Sequence, residues 1–180
     1  IFYIMLLSLT GIATAHADTW YVKTDGFDTN GGTSWVDAFQ TIQTGIDKAS
    51  EGDSVLVADG TYKGERNKNL DFGGKAITLQ SETSAENCII DCEDSGRGIN
   101  FQLFEGESSV VSGFTITDGN ADYGGAIRIG YTTSPTIINC FISNNEASQN
   151  GGGIRCDSYS SPNIINCIIT GNWASVGGNG

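Results

Sequence analysis

Over most of the chain, apolar residues fall in short clusters set between runs of Ser, Asn, Gly and Asp. "GAIRI" (Gly125–Ile129), "TII" (Thr136–Ile138) and "CFI" (Cys140–Ile142) are the clearest. Such Ile-rich clusters are too short for helices and predict β-strands. The pattern then repeats. Thr133–Gly153 and Ser160–Gly180 lie 27 residues apart and are identical at 12 of 21 positions, among them Pro135/Pro162. One unit earlier the same spacing sets Val110, Val111 and Phe114 opposite Ile137, Ile138 and Phe141, and "GGAIR" (Gly124–Arg128) opposite "GGGIR" (Gly151–Arg155). A fixed period of this size denotes a stacked array. Three short strands in each 27-residue unit, with no helical stretch between them, predict an all-β fold. That fold is a right-handed parallel β-helix, a solenoid in which each turn hydrogen-bonds to the next and like residues stack in files.

The files can be named from the spacing. Ile137/Ile164, Cys140/Cys167 and Ile142/Ile169 are expected to point inward. The change of step from three residues to two places a bend at Asn139/Asn166. Asn tolerates the left-handed conformation of a sharp bend, and stacked Asn side chains can hydrogen-bond along the file. Asn139, Asn166, Cys140 and Cys167 are therefore expected to form a structural ladder. Cys140 above Cys167 falls within disulfide reach; the alternative is a pair of buried free thiols acting as small apolar side chains.

The N-terminal part follows a different period. In "SWVDAFQTIQTGIDKA" (Ser34–Ala49), Phe39, Ile42, Ile46 and Ala49 fall on one helical face. Ser34 and Asp37 have capping-box spacing, and Gly52 follows the helix end. These features predict an amphipathic helix over 35–49 that covers the open end of the coil. The expected organisation is a signal peptide at 1–17, an N-terminal cap at 18–52 and the β-helix at 53–180.

Composition narrows the partners. The formal charge is −12, with nine Lys and Arg and no basic run, so no nucleic acid is expected to bind. "IFYIMLLSLTGIATAHA" (Ile1–Ala17) has the apolar run and A-x-A site of a signal peptide without its basic n-region. It is shorter than the about 20 residues a membrane span needs. The mature chain is expected to start near Asp18, to be exported to the extracellular space or outer cell surface, and to have no membrane span. His16, the only histidine, would leave with the signal. Cys88, Cys92, Cys140, Cys156 and Cys167 contain no CxxC pair, which argues against zinc. Counted by 27, the chain stops one position before the counterpart of Ile154, so further turns are expected beyond it.

The run Tyr21–Gly64, with "FQTIQTGID" and "GDSVLVADGTY", and the downstream "GFTI" resemble the cap and first turn of pectin-lyase-like right-handed β-helix proteins. "GGAI" (Gly124–Ile127), "GGGI" (Gly151–Ile154) and "FISN" (Phe141–Asn144) resemble the repeats of polymorphic outer-membrane proteins, a group of surface adhesins and autotransporters. The resemblance implies this fold, export, and relatives that include polysaccharide lyases and hydrolases. The polygalacturonase-like pattern is missing: only "RIG" at Arg128–Gly130 approaches it. Lyases of this fold use Ca²⁺ held by carboxylates and an Arg or Lys base beside a uronate.

Arg128 and Arg155 alternate with inward Ile and are expected to face solvent. No cofactor is expected, with one opening for metal: Asp25, Asp28 and Asn30 in "DGFDTNGG" carry oxygen ligands of the kind Ca²⁺ takes, although the loop also reads as a plain turn. Tyr123, Tyr131, Tyr159 and Trp173 sit in turn-like stretches suited to stacking on a sugar ring or a partner. The expected function is a non-catalytic adhesive or structural stalk. The alternatives are a polysaccharide lyase or hydrolase with its catalytic turns elsewhere, and a carbohydrate-binding module.

Overall fold

In the computed structural model, which describes residues 16–175, the chain winds as a parallel β-helix of about four turns. Strand β1 (Thr19–Val22) opens it, followed by a 3-10 turn at Trp35–Asp37 and helix α1 (Ile42–Lys48). The first turn holds β2 (Ser54–Val57) and β3 (Gly60–Tyr62); the second holds β4 (Thr78–Ser81), β5 (Cys88–Asp91) and β6 (Ile99–Phe101). The third has β7 (Val110–Ser112), β8 (Thr115–Thr117), β9 (Asn120–Tyr123) and β10 (Ile127–Ile129). The fourth has β11 (Thr136–Ile138), β12 (Phe141–Ser143), β13 (Glu146–Asn150) and β14 (Ile154–Cys156). Above it lie β15 (Asn163–Ile165), β16 (Ile168–Thr170) and β17 (Trp173–Ala174).

These strands stack into a six-stranded sheet β1-β2-β4-β7-β11-β15 and a five-stranded sheet β3-β5-β8-β12-β16. Two three-stranded sheets, β6-β10-β14 and β9-β13-β17, complete the coil. The connections carry the right-handed crossover that right-twisted parallel strands favour. The clusters "GAIRI", "TII" and "CFI" supply the expected three strands. The fourth, β9/β13/β17, comes from polar segments such as "NADY" and "EASQN" that carry no apolar alternation, and its inward contribution is chiefly the buried Ala147.

The repeat spacing is not constant. Ile137 pairs with Ile164, a step of 27, but Val111 pairs with Ile137, a step of 26, and Ile99 pairs with Ile127, a step of 28. Val111, not Val110, thus occupies the file of Ile137, and Thr115, not Phe114, that of Phe141. A one-residue slip exchanges the inner and outer faces, and the fold takes the register that buries Val111.

The core is one continuous apolar file inside the coil. Ile137, Cys140 and Ile142 are buried, and Phe72 and Phe101 meet edge to face at 5.0 Å. Their counterparts one turn on, Ile164 and Ile169, are 41% and 47% exposed, because among the described residues nothing packs above β15 and β16. At the other end α1 buries Ile42 and Ile46, and Gly45 gives the close approach to Val22 and Val55.

The continuous helix expected over 35–49 is shorter. Ala38–Thr41 is not helical, because Phe39 pairs with Val22 as a parallel bridge and bonds Tyr21 through its N–H. The capping box does not form: Ser34 makes no side-chain cap, and Asp37 Oδ2 accepts the Gly31 N–H at 3.0 Å. β-Pairing has recruited an aromatic that helical spacing assigned to α1. Among the described residues, no helix is long and apolar enough to cross a membrane. The signal-peptide reading falls mostly outside the described residues.

Candidate functional site

Strands β6, β10 and β14 bring Arg128 directly against Arg155, with Asn100 below. Their side chains face outward, since the flanking Ile99, Ile127 and Ile129 are buried. Each register position has a neighbour that the repeat spacing hides. Arg97 stands level with Gly125, and Asp157 level with Gly130. Two of the four arginines of this acidic chain therefore stack on this face, and Arg97 lies close enough to Arg128 to feel its charge.

Asp157 ties the file together. Its Oδ2 accepts Arg128 Nη2 at 2.8 Å and Nε at 3.2 Å, and its Oδ1 accepts Arg155 Nε at 3.1 Å. Burial works to raise the Asp157 carboxyl, but the bonds from both guanidiniums outweigh it and hold the group below the usual carboxylate range. Among the described residues Arg97 has no carboxylate within ion-pair distance; its Nη1 donates to the Tyr123 carbonyl. Burial and the adjacent Arg128 charge pull Arg97 below the ordinary arginine value. Two cations thus share one anion, and a third stands beside them.

Aromatic rings border this face. Tyr131 and Tyr159, three and four residues beyond Arg128 and Arg155, meet edge to face at 5.2 Å while remaining 59% and 79% exposed. Tyr159 itself has φ +60, a left-handed backbone that turns it out of the coil. On the other side the Arg155 guanidinium lies 5.6 Å from the Tyr123 ring centre, a cation–π distance. The Tyr123 hydroxyl donates to Gln149 Oε1. Leu103 and Phe104, also exposed, occupy the corresponding corner one turn earlier. Trp173 is exposed too, but it belongs to β17, in a different sheet.

The three candidate calcium ligands each have partners of their own. Asp28 accepts the Gln40 and Thr41 N–H groups at 3.0 and 2.9 Å and the Thr41 hydroxyl at 2.8 Å. Burial raises its carboxyl, yet these bonds prevail and hold it low. Asn30 gives its amide to the Ala38 carbonyl, and Asp25 pairs with Lys23 at 3.5 Å. Among the described residues no three His, Cys, Asp or Glu side chains gather as a metal site.

Two asparagine files occur. Asn166 Nδ2 donates to Asn139 Oδ1 at 2.7 Å, and both residues are left-handed and exposed, at the bend. The second file was not singled out from the sequence. Asn145 is buried, donates to the Ile116 and Ser143 carbonyls and to Asn172 Oδ1, and accepts the Gly119 N–H. Asn145 and Asn172 are 27 apart, so periodicity carried the signal; which asparagine turns inward depends on the bend. Cys140 and Cys167 are both free thiols, Cys140 buried and Cys167 partly so.

No protein-family model and no curated protein matches this chain. Among solved structures it resembles the crystal structure of pectate lyase Pel9A, with a TM-score of 0.57 and 14% identity over 86% of this chain and 48% of that one. A rhamnogalacturonan lyase aligns with a TM-score of 0.47 and 15% identity over 84% of this chain and 51% of that one. The chain spans about half the length of both. The first likeness is one of fold: a right-handed parallel β-helix.

Proposed function

We propose that this chain is a non-catalytic binding segment of an exported β-helix protein, holding an acidic glycan against the arginine file and the Tyr131–Tyr159 pair. One observation carries the reading: in a chain of net charge −12, Arg128 and Arg155 stack on one face and share the carboxylate of Asp157, with Arg97 beside them. Guanidiniums suit carboxylate or sulfate groups on a sugar, and exposed tyrosines suit its ring faces. Arg128 and Arg155 are already bonded to Asp157, which favours holding a ligand over moving a proton. Export is supported by the A-x-A site before Asp18, and an adhesive role by the repeats that resemble those of surface adhesins.

Binding of polygalacturonate and of a sulfated glycan, measured by calorimetry, tests this. Arg128→Gln with Arg155→Gln is expected to weaken it at least about ten-fold, the loss of one to two charged hydrogen bonds. Asp157→Asn frees both guanidiniums and is expected to strengthen it. Equal affinity in all three proteins would contradict the assignment.

A lyase is the second reading, favoured by Arg97. It stands beside Arg128 with its Nη1 on the Tyr123 carbonyl, and burial and the Arg128 charge shift it in the direction that a proton-abstracting base requires. Unsaturated product formed from polygalacturonate, and lost in Arg97→Gln, would replace the binding-only reading with this one.

A further inference from the structure

Cys140 and Cys167 occupy one file on successive turns. Phe141 pairs with Ile168, which puts the preceding residues level, and the Ile168 N–H bonds the Cys140 carbonyl at 2.9 Å. Adjacent parallel strands lie about 4.8 Å apart, inside the Cα range of about 4.4–6.8 Å that a disulfide accepts. Both side chains turn the same way: Cys140 Sγ lies 3.3 Å from the Ile138 carbonyl and Cys167 Sγ 3.3 Å from the Ile165 carbonyl. The rest of the file limits the pairing to these two. Cys88 is level with Phe114, and Phe114 with Cys140, so an aromatic ring separates Cys88 from the pair. Cys156 belongs to β14, in another sheet.

Access comes at Cys167, since Cys140 is buried in the core. Cys167 is partly exposed.

We propose that Cys140 and Cys167 form a dithiol–disulfide site that clamps the turn carrying β15–β17 to the turn below it. The oxidant is a low-molecular-weight disulfide, RSSR. The Cys167 thiolate attacks one sulfur, forms a mixed disulfide and expels RS⁻. Cys140 gives its proton to RS⁻ and attacks Cys167 Sγ, expelling the second RS⁻. The two protein thiols lose two electrons and two protons, and RSSR becomes two RSH once the second RS⁻ is protonated from solvent.

The order of attack follows from the environments. Cys167 is partly exposed and Cys140 buried; the thiol contact with Cys140 holds Cys167 low, whereas the same contact and burial push Cys140 up. Cys167 is the attacking thiol and Cys140 the resolving one. The clamp acts where the coil is weakest among the described residues, since β15 and β16 are covered on one side only.

The test treats the folded full chain with oxidised glutathione, alkylates the remaining thiols and maps the peptides. The expected product is a Cys140–Cys167 cross-link, with the intact mass lower by two hydrogens, reversed by dithiothreitol. Cys140→Ser is expected to stop at a stable glutathione adduct on Cys167, and Cys167→Ser to form no cross-link. Amide exchange in β15 and β16 of the cross-linked wild type should slow by roughly ten-fold or more. A lasting glutathione adduct on wild-type Cys167 overturns the pairing, as does a free pair in protein whose exposed Cys156 has reacted. Unchanged exchange after cross-linking overturns the clamp. The wild-type mapping decides the pairing even if a variant fails to fold.

Discussion

The first two turns and the last two solve the same packing problem in different ways. From Val110 onward the chain copies itself, and each turn is held by residues that recur: Ile on Ile, Asn145 beside Asn172, Arg128 against Arg155. Before Val110 the turns are interrupted by excursions, and single polar side chains hold these in place. Asp53 accepts bonds from the Asp18 and Ser50 N–H groups and the Trp20 indole. Buried Lys68 reaches Ser95 and the Cys92 carbonyl, and Lys75 ties the carbonyls of Ile46 and Ala49. Repetition supplies many equivalent contacts, so neighbouring turns can partly compensate for the loss of one. An irregular turn depends on a few that have no copy.

Substitutions in the two regions test this contrast, beginning with the largest effect. Phe101→Ala empties the edge-to-face pair with Phe72 in the irregular region and should cost about 3–5 kcal/mol in denaturant unfolding. Ile142→Ala, in the repeated file, is expected toward the low end of about 2–5 kcal/mol, because neighbouring turns offer similar side chains to settle inward. Equal costs would remove the distinction.

Asp53→Asn comes next, at about 1.5–3 kcal/mol near neutral pH. Burial raises the Asp53 carboxyl, but bonds from Ser50, Trp20 and Asp18 outweigh it, so it titrates lower in the folded protein than in the unfolded chain. The stability it contributes is complete above the unfolded value of about 3.9 and is lost as pH falls through the folded value. The variant should therefore lose less stability on acidification than the parent. An identical acid profile would show that Asp53 is not the tie.

The two asparagine files give the finest comparison. Asn145→Ala leaves the buried Gly119 N–H without its acceptor, at about 1–3 kcal/mol. Asn139→Gly loses one exposed bond but relieves a left-handed backbone of φ +56, and should change stability by no more than about 0.5 kcal/mol.

This contrast also explains which features were legible in the sequence. A 27-residue copy names its own files, so the strands of Ile127, Ile137 and Ile142 and the bend at Asn139 could be read from spacing. The step of 26 below Ile137 could not, because Val110 and Val111 are both valines and only burial selects between them. Phe39 has helical spacing, yet a bridge to Val22 claims it. The arginine face was half legible: Arg128 and Arg155 announce themselves by the repeat, while Arg97 and Asp157 stand where neighbouring turns have glycine. Positions that depart from the repeat carry the irregular chemistry, and periodicity passes over them.

Cross-turn nuclear Overhauser contacts measured on the full chain test the central claim most directly. Stacked parallel turns place Phe141 against both Thr115 and Ile168, and Ile127 against Ile154, with backbones about 4.8 Å apart. Those contacts between residues 26 or 27 apart are the expected result. Their absence, with helical i to i+3 contacts through Thr136–Ser143 instead, would contradict the coil and the faces built on it.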